Sequence, residues 1–234
     1  MKKILYFSVI TALLLSIDSC TKTSQPQGVC HITGEVTESD LEGVRIFLVP
    51  YHGPKDAAHV DSIEIEDGMF EFSTDTLMLA QILVDFHHRM NTQPLLIVTE
   101  PGEVKVKIGL DSSASGTEQN DILQSWKIRT EQHNTQYSRL NKTAREAEKA
   151  GDSITYKAYK QKADSVHLQH KQYTRELANI LKESILHDFL KDLYPLTYTR
   201  KYPDGREVVF DADTNEPIEN SPLQLPQEEE KREK

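Results

Sequence analysis

The chain has 234 residues, 37% of them apolar and 27% charged, and a formal net charge of −10. That length supports one well-filled core or two small ones. The acidity, with no basic stripe to displace counterions, argues against nucleic acid and polyphosphate as partners.

Residues 1–19 read as a targeting segment. Lys2 and Lys3 form a positive start, and Ile4 to Ile17 an apolar run too short to span a membrane as a stable anchor. The run ends in Ile17-Asp18-Ser19-Cys20. A small residue directly before a cysteine resembles the lipobox of bacterial lipoproteins, in which the cysteine is lipid-modified and becomes the first residue of the mature chain. The resemblance implies a signal peptide over 1–19, lipid attachment at Cys20, and a place in the envelope of a diderm bacterium, on the outer membrane facing the periplasm. Asp18 is an unusual neighbour for such a cysteine, and an ordinary secretory peptide is the alternative. Loss of residues 1–19 removes two lysines and one aspartate, leaving about −11 by the same counting. Residues 20–30 are polar and read as a tether.

With Cys20 acylated, Cys30 is the one thiol left, so no intramolecular disulfide can form. There is no Cys-x-x-Cys, which excludes a dithiol oxidoreductase acting alone. Cys30 reads either as a small buried residue entering the first strand or as a thiol contact for another protein.

Residues 31–116 read as a β domain. His31 to Thr37 opens it, and Val44 to Val49 is apolar enough to be buried on both faces. Val60 to Glu66 and Met69 to Phe72 flank Asp67-Gly68, a strong signal for a two-residue hairpin. Leu77 to Asp85 is a further strand. Leu95 to Ile108 holds two strands around Glu100-Pro101-Gly102-Glu103, which suits a type II turn. In its second half Glu103, Lys105 and Lys107 alternate with Val104, Val106 and Ile108, a period of two. Asp111 to Gly116 reads as a loop. Short, closely spaced strands without intervening helices favour an antiparallel sandwich or partly closed barrel, and of these the expectation is an antiparallel β-sandwich of about seven to eight strands.

Several stretches occur here in a recognisable order: Gly34-Glu35-Val36, Phe47-Leu48-Val49-Pro50, Glu66-Asp67-Gly68-Met69-Phe70-Glu71-Phe72, Pro94 to Val104, and Ser115-Gly116-Thr117-Glu118-Gln119-Asn120-Asp121. Together they resemble the uncharacterised N-terminal domain, a domain of unknown function, that precedes thioredoxin-like, peroxiredoxin-type domains in many gram-negative envelope lipoproteins. The likeness extends through the helical connector, from Ile32 to Tyr194. The family assigns no catalytic residues to this domain, so the resemblance implies none here. Its relatives carry a thioredoxin-like domain with a cysteine pair after the helices, whereas this chain ends at Lys234 without one, so redox activity is not expected of it.

Residues 117–194 read as a long antiparallel helical hairpin and a short helix, giving an α+β chain. Thr117 suits an N-cap. Ile122, Trp126, Thr130, His133, Tyr137, Leu140, Ala144 and Ala147 recur at steps of four and three. After Gly151-Asp152-Ser153, a stop followed by a cap, Tyr156, Tyr159, Ala163, Val166, His170, Tyr173, Leu177 and Ile180 repeat the spacing. The stripes are poor in Leu and Ile, so they need the β domain, a second copy or another partner. Residues 195–219 read as a β-hairpin with its tip at Pro203-Asp204-Gly205, and 220–234 as a disordered charged tail.

Candidate chemistry is sparse. His87-His88 and His167/His170 are the histidine pairs, and neither has a third metal ligand at a recognisable spacing, so both read as solvated or seam residues. Asp211-Ala212-Asp213-Thr214-Asn215 imitates the start of a calcium loop, but Glu216 stands where glycine is needed and Pro222 where the bidentate glutamate is needed. No nucleophile elbow, Walker loop, dinucleotide fingerprint or zincin motif occurs. The expectation is a non-enzymatic protein without cofactor or metal, anchored to the membrane by lipid. Its protein partner would be a second copy of itself or a separate thioredoxin-like protein.

Overall fold

The computed structural model describes residues 28–37, 39–88 and 92–218. The expected signal segment, Cys20, most of the expected tether and the expected charged tail lie outside the described residues.

The chain is α+β, with ten strands and three α-helices among the described residues. Residues 30–115 hold β1 (Cys30–Val36), β2 (Arg45–Pro50), β3 (Asp61–Glu64), β4 (Met69–Thr74), β5 (Leu79–Val84), β6 (Leu95–Val98), β7 (Gly102–Ile108) and β8 (Ser113–Ser115). They form two four-stranded sheets, ordered β4-β1-β7-β8 and β3-β2-β5-β6. Pairing is antiparallel except between β1 and β7, which run parallel with Cys30 opposite Gly102 and Val36 opposite Ile108. This corrects the expectation of a wholly antiparallel arrangement. The eighth strand, β8, lies in the stretch expected to be a loop and pairs with β7 through Ala114 opposite Val106.

Both turn signals mark places where the chain changes sheet. Asp67 and Gly68 have φ of +53° and +70°, the two positive values of a type I′ turn. Yet the strands around them share one bridge, Glu66 with Met69; β3 pairs with β2, and β4 with β1. The Glu42 carboxylate accepts from the Asp67 and Gly68 N–H groups at 2.9 and 3.0 Å and holds this corner. Pro101-Gly102 behaves alike, with β6 in one sheet and β7 in the other. Gly102 takes φ of +131°, well away from the value near +80° of a type II turn.

Alternation places the core. In β7, Val104, Val106 and Ile108 are buried while Glu103, Lys105 and Lys107 are exposed. Ile32, Phe70, Phe72 and Val104 from one sheet join Ile46, Leu48, Ile82 and Ile97 from the other in a single buried cluster. Gly34 lies under the Phe70 ring, and a Cβ there would come within 1.9 Å of it. β2 is less enclosed than its apolar run predicts, because Arg45 is exposed and Phe47 half-buried.

Three helices follow: α1 (Glu118–Lys149), α2 (Ser153–Ile180) and α3 (Leu186–Leu193). Asp152 caps α2, accepting from the Thr155 N–H at 3.0 Å, after Gly151 at φ +74°. Thr117 occupies the N-cap position of α1 in extended conformation but makes no side-chain cap bond. The first turn is capped from outside the helix, where Glu100 Oε1 accepts from the Gln119 N–H at 2.6 Å. Trp126 meets Thr174, Thr130 meets His170, and His133 meets His167. Contacts that advance along α1 as they retreat along α2 set the two helices in opposite directions. Ile180, expected on the seam, is 78% exposed. In its last turns α2 packs on α3 and the second sheet through Ala178, which turns Ile180 outward.

A second cluster joins Leu79 and Val98 of the second sheet to Leu123, Ala178, Leu186, Phe189 and Leu190. Strands β9 (Thr197–Lys201) and β10 (Glu207–Asp211) form a separate antiparallel pair. It is tied to α2 by Asp213, whose carboxylate takes Arg175 Nη1 at 2.7 Å and also Lys171 Nζ.

Candidate functional site

The helices are held to the sheets by a small set of polar side chains at the start of α1. Asn120 is fully buried. Its Oδ1 accepts from the Val98 N–H at 2.9 Å and its Nδ2 donates to the Val98 C=O at 2.7 Å. One amide thus pairs with edge strand β6 as a neighbouring strand would. Beside it, Gln119 Nε2 donates to Glu100 at 3.2 Å, the Ser184 hydroxyl donates to Gln119 Oε1 at 2.7 Å, and the Leu186 N–H donates to that hydroxyl at 3.0 Å. This chain of bonds links β6, α1 and α3. Sequence reasoning missed its role; two amides and a threonine opening a helix directly after a strand were the available signal.

Further along, α1 and α2 bring three histidines together. His133 stacks on His170 with ring centroids 4.3 Å apart and planes 13° from parallel, and His167 lies 5.7 Å from His133. Tyr137 stacks on His133, and Tyr194 meets both His167 and His170 edge-on at 5.9 Å. His133 Nε2, His167 Nδ1 and His170 Nδ1 are buried with no hydrogen-bond partner. Burial, chiefly, holds the basicity of His133 below its usual value and that of His170 down at about 4, where His133, His167 and Arg129 add repulsion. Burial likewise raises the Tyr194 phenol. The sequence showed His170 and His133 on facing stripes, but not that His167 turns into the same cluster.

These rings do not converge on a point. A tetrahedral ion needs in-plane nitrogen lone pairs aimed at one centre from about 2.0–2.1 Å, whereas stacked, nearly parallel rings direct theirs side by side. Among the described residues no group of three His, Cys, Asp or Glu side chains is arranged to hold a metal ion. His87 and His88 sit far along the chain from this cluster, in the turn after β5, where His87 Nδ1 lies 3.0 Å from Asp85 Oδ1. The Asp211 carboxylate is taken up by the N–H groups of Asp213 and Thr214, and Asp213 by the two cations of α2.

Cys30 is fully buried in the core between the sheets. Burial, with Glu100 and Glu103 nearby, pushes its thiol up to about 11, far from the thiolate a reactive cysteine requires. Cys20 lies outside the described residues.

The outward faces of the helices carry shallow grooves. One of about 650 Å³ runs along α1 past Ile128, Gln132 and Leu140. Another of about 410 Å³ runs along α2 past Tyr156, Lys160 and Leu168. Ile128 and Leu168 are each nearly half exposed, and Ile154 is 82% exposed.

The model of a family described as Domain of unknown function (DUF4369) matches residues 30–123. That stretch is similar to the family. It spans all eight strands of the two large sheets and ends just after Asn120, so the strand-mimicking amide lies inside it, while the histidine cluster and most of the helices lie beyond. No curated protein and no solved structure matches the chain.

Proposed function

We propose that the chain is a lipid-anchored protein of the bacterial envelope in which a β-sandwich carries a helical hairpin as a binding or assembly module, without catalysis of its own. The observation that carries this reading is the contrast in closure. The core between the sheets is filled and its thiol buried, whereas the helices present Ile128, Leu168 and Ile154 to solvent beside long grooves. Exposed large apolar side chains rimmed by polar ones are a mark of protein contact surfaces. The lipobox-like Ile17-Asp18-Ser19-Cys20 supports attachment at Cys20 and a place on the outer membrane facing the periplasm.

The occupant we favour is a second copy of the chain, seated on the outer helix faces. The resemblance to domains that precede thioredoxin-like domains supports a second reading, in which the chain docks a separate thioredoxin-like protein. The burial of Cys30 favours noncovalent docking in that case.

Light scattering on the acylated protein in detergent tests the first reading. A dimer that Ile128→Asp with Leu168→Asp converts to a monomer supports it, and a monomeric wild type overturns it. Metabolic labelling with a fatty-acid analogue tests the anchor, with Cys20→Ala expected to abolish the label; label retained in Cys20→Ala overturns that assignment.

A further inference from the structure

The histidine cluster has no place in the docking surface, because its rings face inward between α1 and α2. We propose that His133 and His170, enclosed with His167, form an acid-operated latch, their stacked rings neutral when the two helices are closed and charged when they part, while the two large sheets stay folded.

The geometry supplies the reason. Three imidazoles share one enclosed space, each with a buried nitrogen that has no partner. A proton on any of them places a cation against two other rings and finds no acceptor on that nitrogen. The groups facing the cluster cannot compensate. From α1 come Arg129, which sits 3.7 Å over the Tyr173 ring, Asn134, which meets His133, and Tyr137. From α2 comes Tyr173, and from the residue after α3 comes Tyr194. Arg129 is itself a cation. The carboxylates of the surrounding turns are engaged elsewhere: Glu131 with Lys127, Asp164 with Lys160, and Asp213 with Lys171 and Arg175.

The sign follows from the depressed basicity. His170 titrates at about 4 in the closed state and near 6.5 when released. Closure is therefore fully favoured above about pH 6.5 and weakens as the pH falls toward 4. Opening frees both His133 and His170 to take up protons, so the transition is steeper than a one-proton curve.

The chain carries its own reporter. Its single tryptophan, Trp126, donates its indole N–H to Thr174 Oγ1 across the same seam at 3.1 Å. On the full chain, Trp126 emission should shift reversibly to the red as pH falls from about 6.5 to 4. The double variant His133→Phe with His170→Phe keeps the rings and removes the charge, and its emission should hold steady over that window. A flat wild-type response, or an equal shift in the double variant, overturns the latch. Should that variant fail to fold, histidine ring resonances of the wild type decide. Protonation of His133 and His170 below the usual range, together with loss of α1 and α2 amide protection and unchanged Ile32 and Ile97 methyl signals, supports the proposal. Protonation in the usual range with the helices intact, or simultaneous loss of the Ile32 and Ile97 signals, overturns it.

Discussion

Between the two large sheets the buried side chains are mostly Ile, Val, Leu and Phe, interleaved from both sides, with Cys30, Ala80 and Ala114 among them. Between α1 and α2 they are Ala144, Ala147, Ala163, Thr174, His133 and His170. Burial is stabilising at roughly 25 cal/mol per Å² of apolar surface, so the first interface supplies its own driving force and the second supplies little. Among the described residues the sheets have no titratable core group except the thiol of Cys30, whereas the helical seam is built around imidazoles, whose ordinary charge change falls near neutrality. One chain thus holds a region indifferent to its surroundings and a region responsive to them.

Deleting apolar volume between the sheets should have the largest effect. Ile97 is fully buried, and Ile97→Ala is expected to cost about 2–5 kcal/mol, read from urea unfolding by circular dichroism with Trp126 emission in parallel. Coincident curves would show that the seam cannot outlast the sheets. A Trp126 curve unmoved by the substitution would break the comparison, because the helices would then hold without sheet support.

Next comes the joint between the regions. Asn120→Ala leaves the Val98 N–H and C=O without partners in a buried setting, at about 1–3 kcal/mol for each such group. Hydrogen exchange should speed at Val98 and along the first turns of α1, with Ile32 and Val104 still protected. Unchanged exchange at Val98 would mean that apolar contact through Leu123 suffices to hold the helix.

The smallest effect belongs to the β9/β10 pair. Arg175 and Lys171 hold the Asp213 carboxyl down at about 2, so what it contributes is present above the ordinary carboxylate range and lost as pH falls toward 2. Asp213 is 40% exposed, so Asp213→Asn should cost about 1 kcal/mol or less. The sensitive readout is faster exchange at the Ala212 N–H, which donates to the Leu196 C=O at 2.9 Å. A loss as large as that of Ile97→Ala would make this pair a third pillar of stability.

The legible parts of the fold were those set by neighbours in sequence. The period of two in Val104, Val106 and Ile108, the cap at Asp152 and the positive φ of Asp67-Gly68 and Gly102 all follow from local chemistry. The sheet assignments do not. A turn made by Asp67 and Gly68 has the same dihedrals whether its strands pair together or part to opposite sheets. The deciding contacts, Glu42 to the turn and β1 to β7, span long stretches of chain. Heptad spacing likewise placed His133, Ala144 and Ala163 on the seam but carried Ile180 onto it too, because spacing cannot show where a helix exchanges one neighbour for another. For the site, Cys30 and both histidine pairs were visible as residue types. The burial of Cys30 depended on the packing of the two sheets, and the grouping of His167 and His170 with His133 on that of α1, α2 and Tyr194.

Asn120 also bears on how the molecule avoids its own copies. β6 is an edge strand of Leu95, Leu96, Ile97 and Val98, short, apolar and uncharged, the kind of segment that recruits identical strands into stacked assemblies. By engaging the Val98 N–H and C=O, the Asn120 amide blocks that edge at its last residue, and Leu96 packs against the cluster that includes Leu123 of α1. A nascent chain exposes β6 before it has made residue 120, so the interval between the two is when aggregation competes with folding. Losing the amide would then show itself first as poor recovery at high protein concentration, before any change in melting temperature.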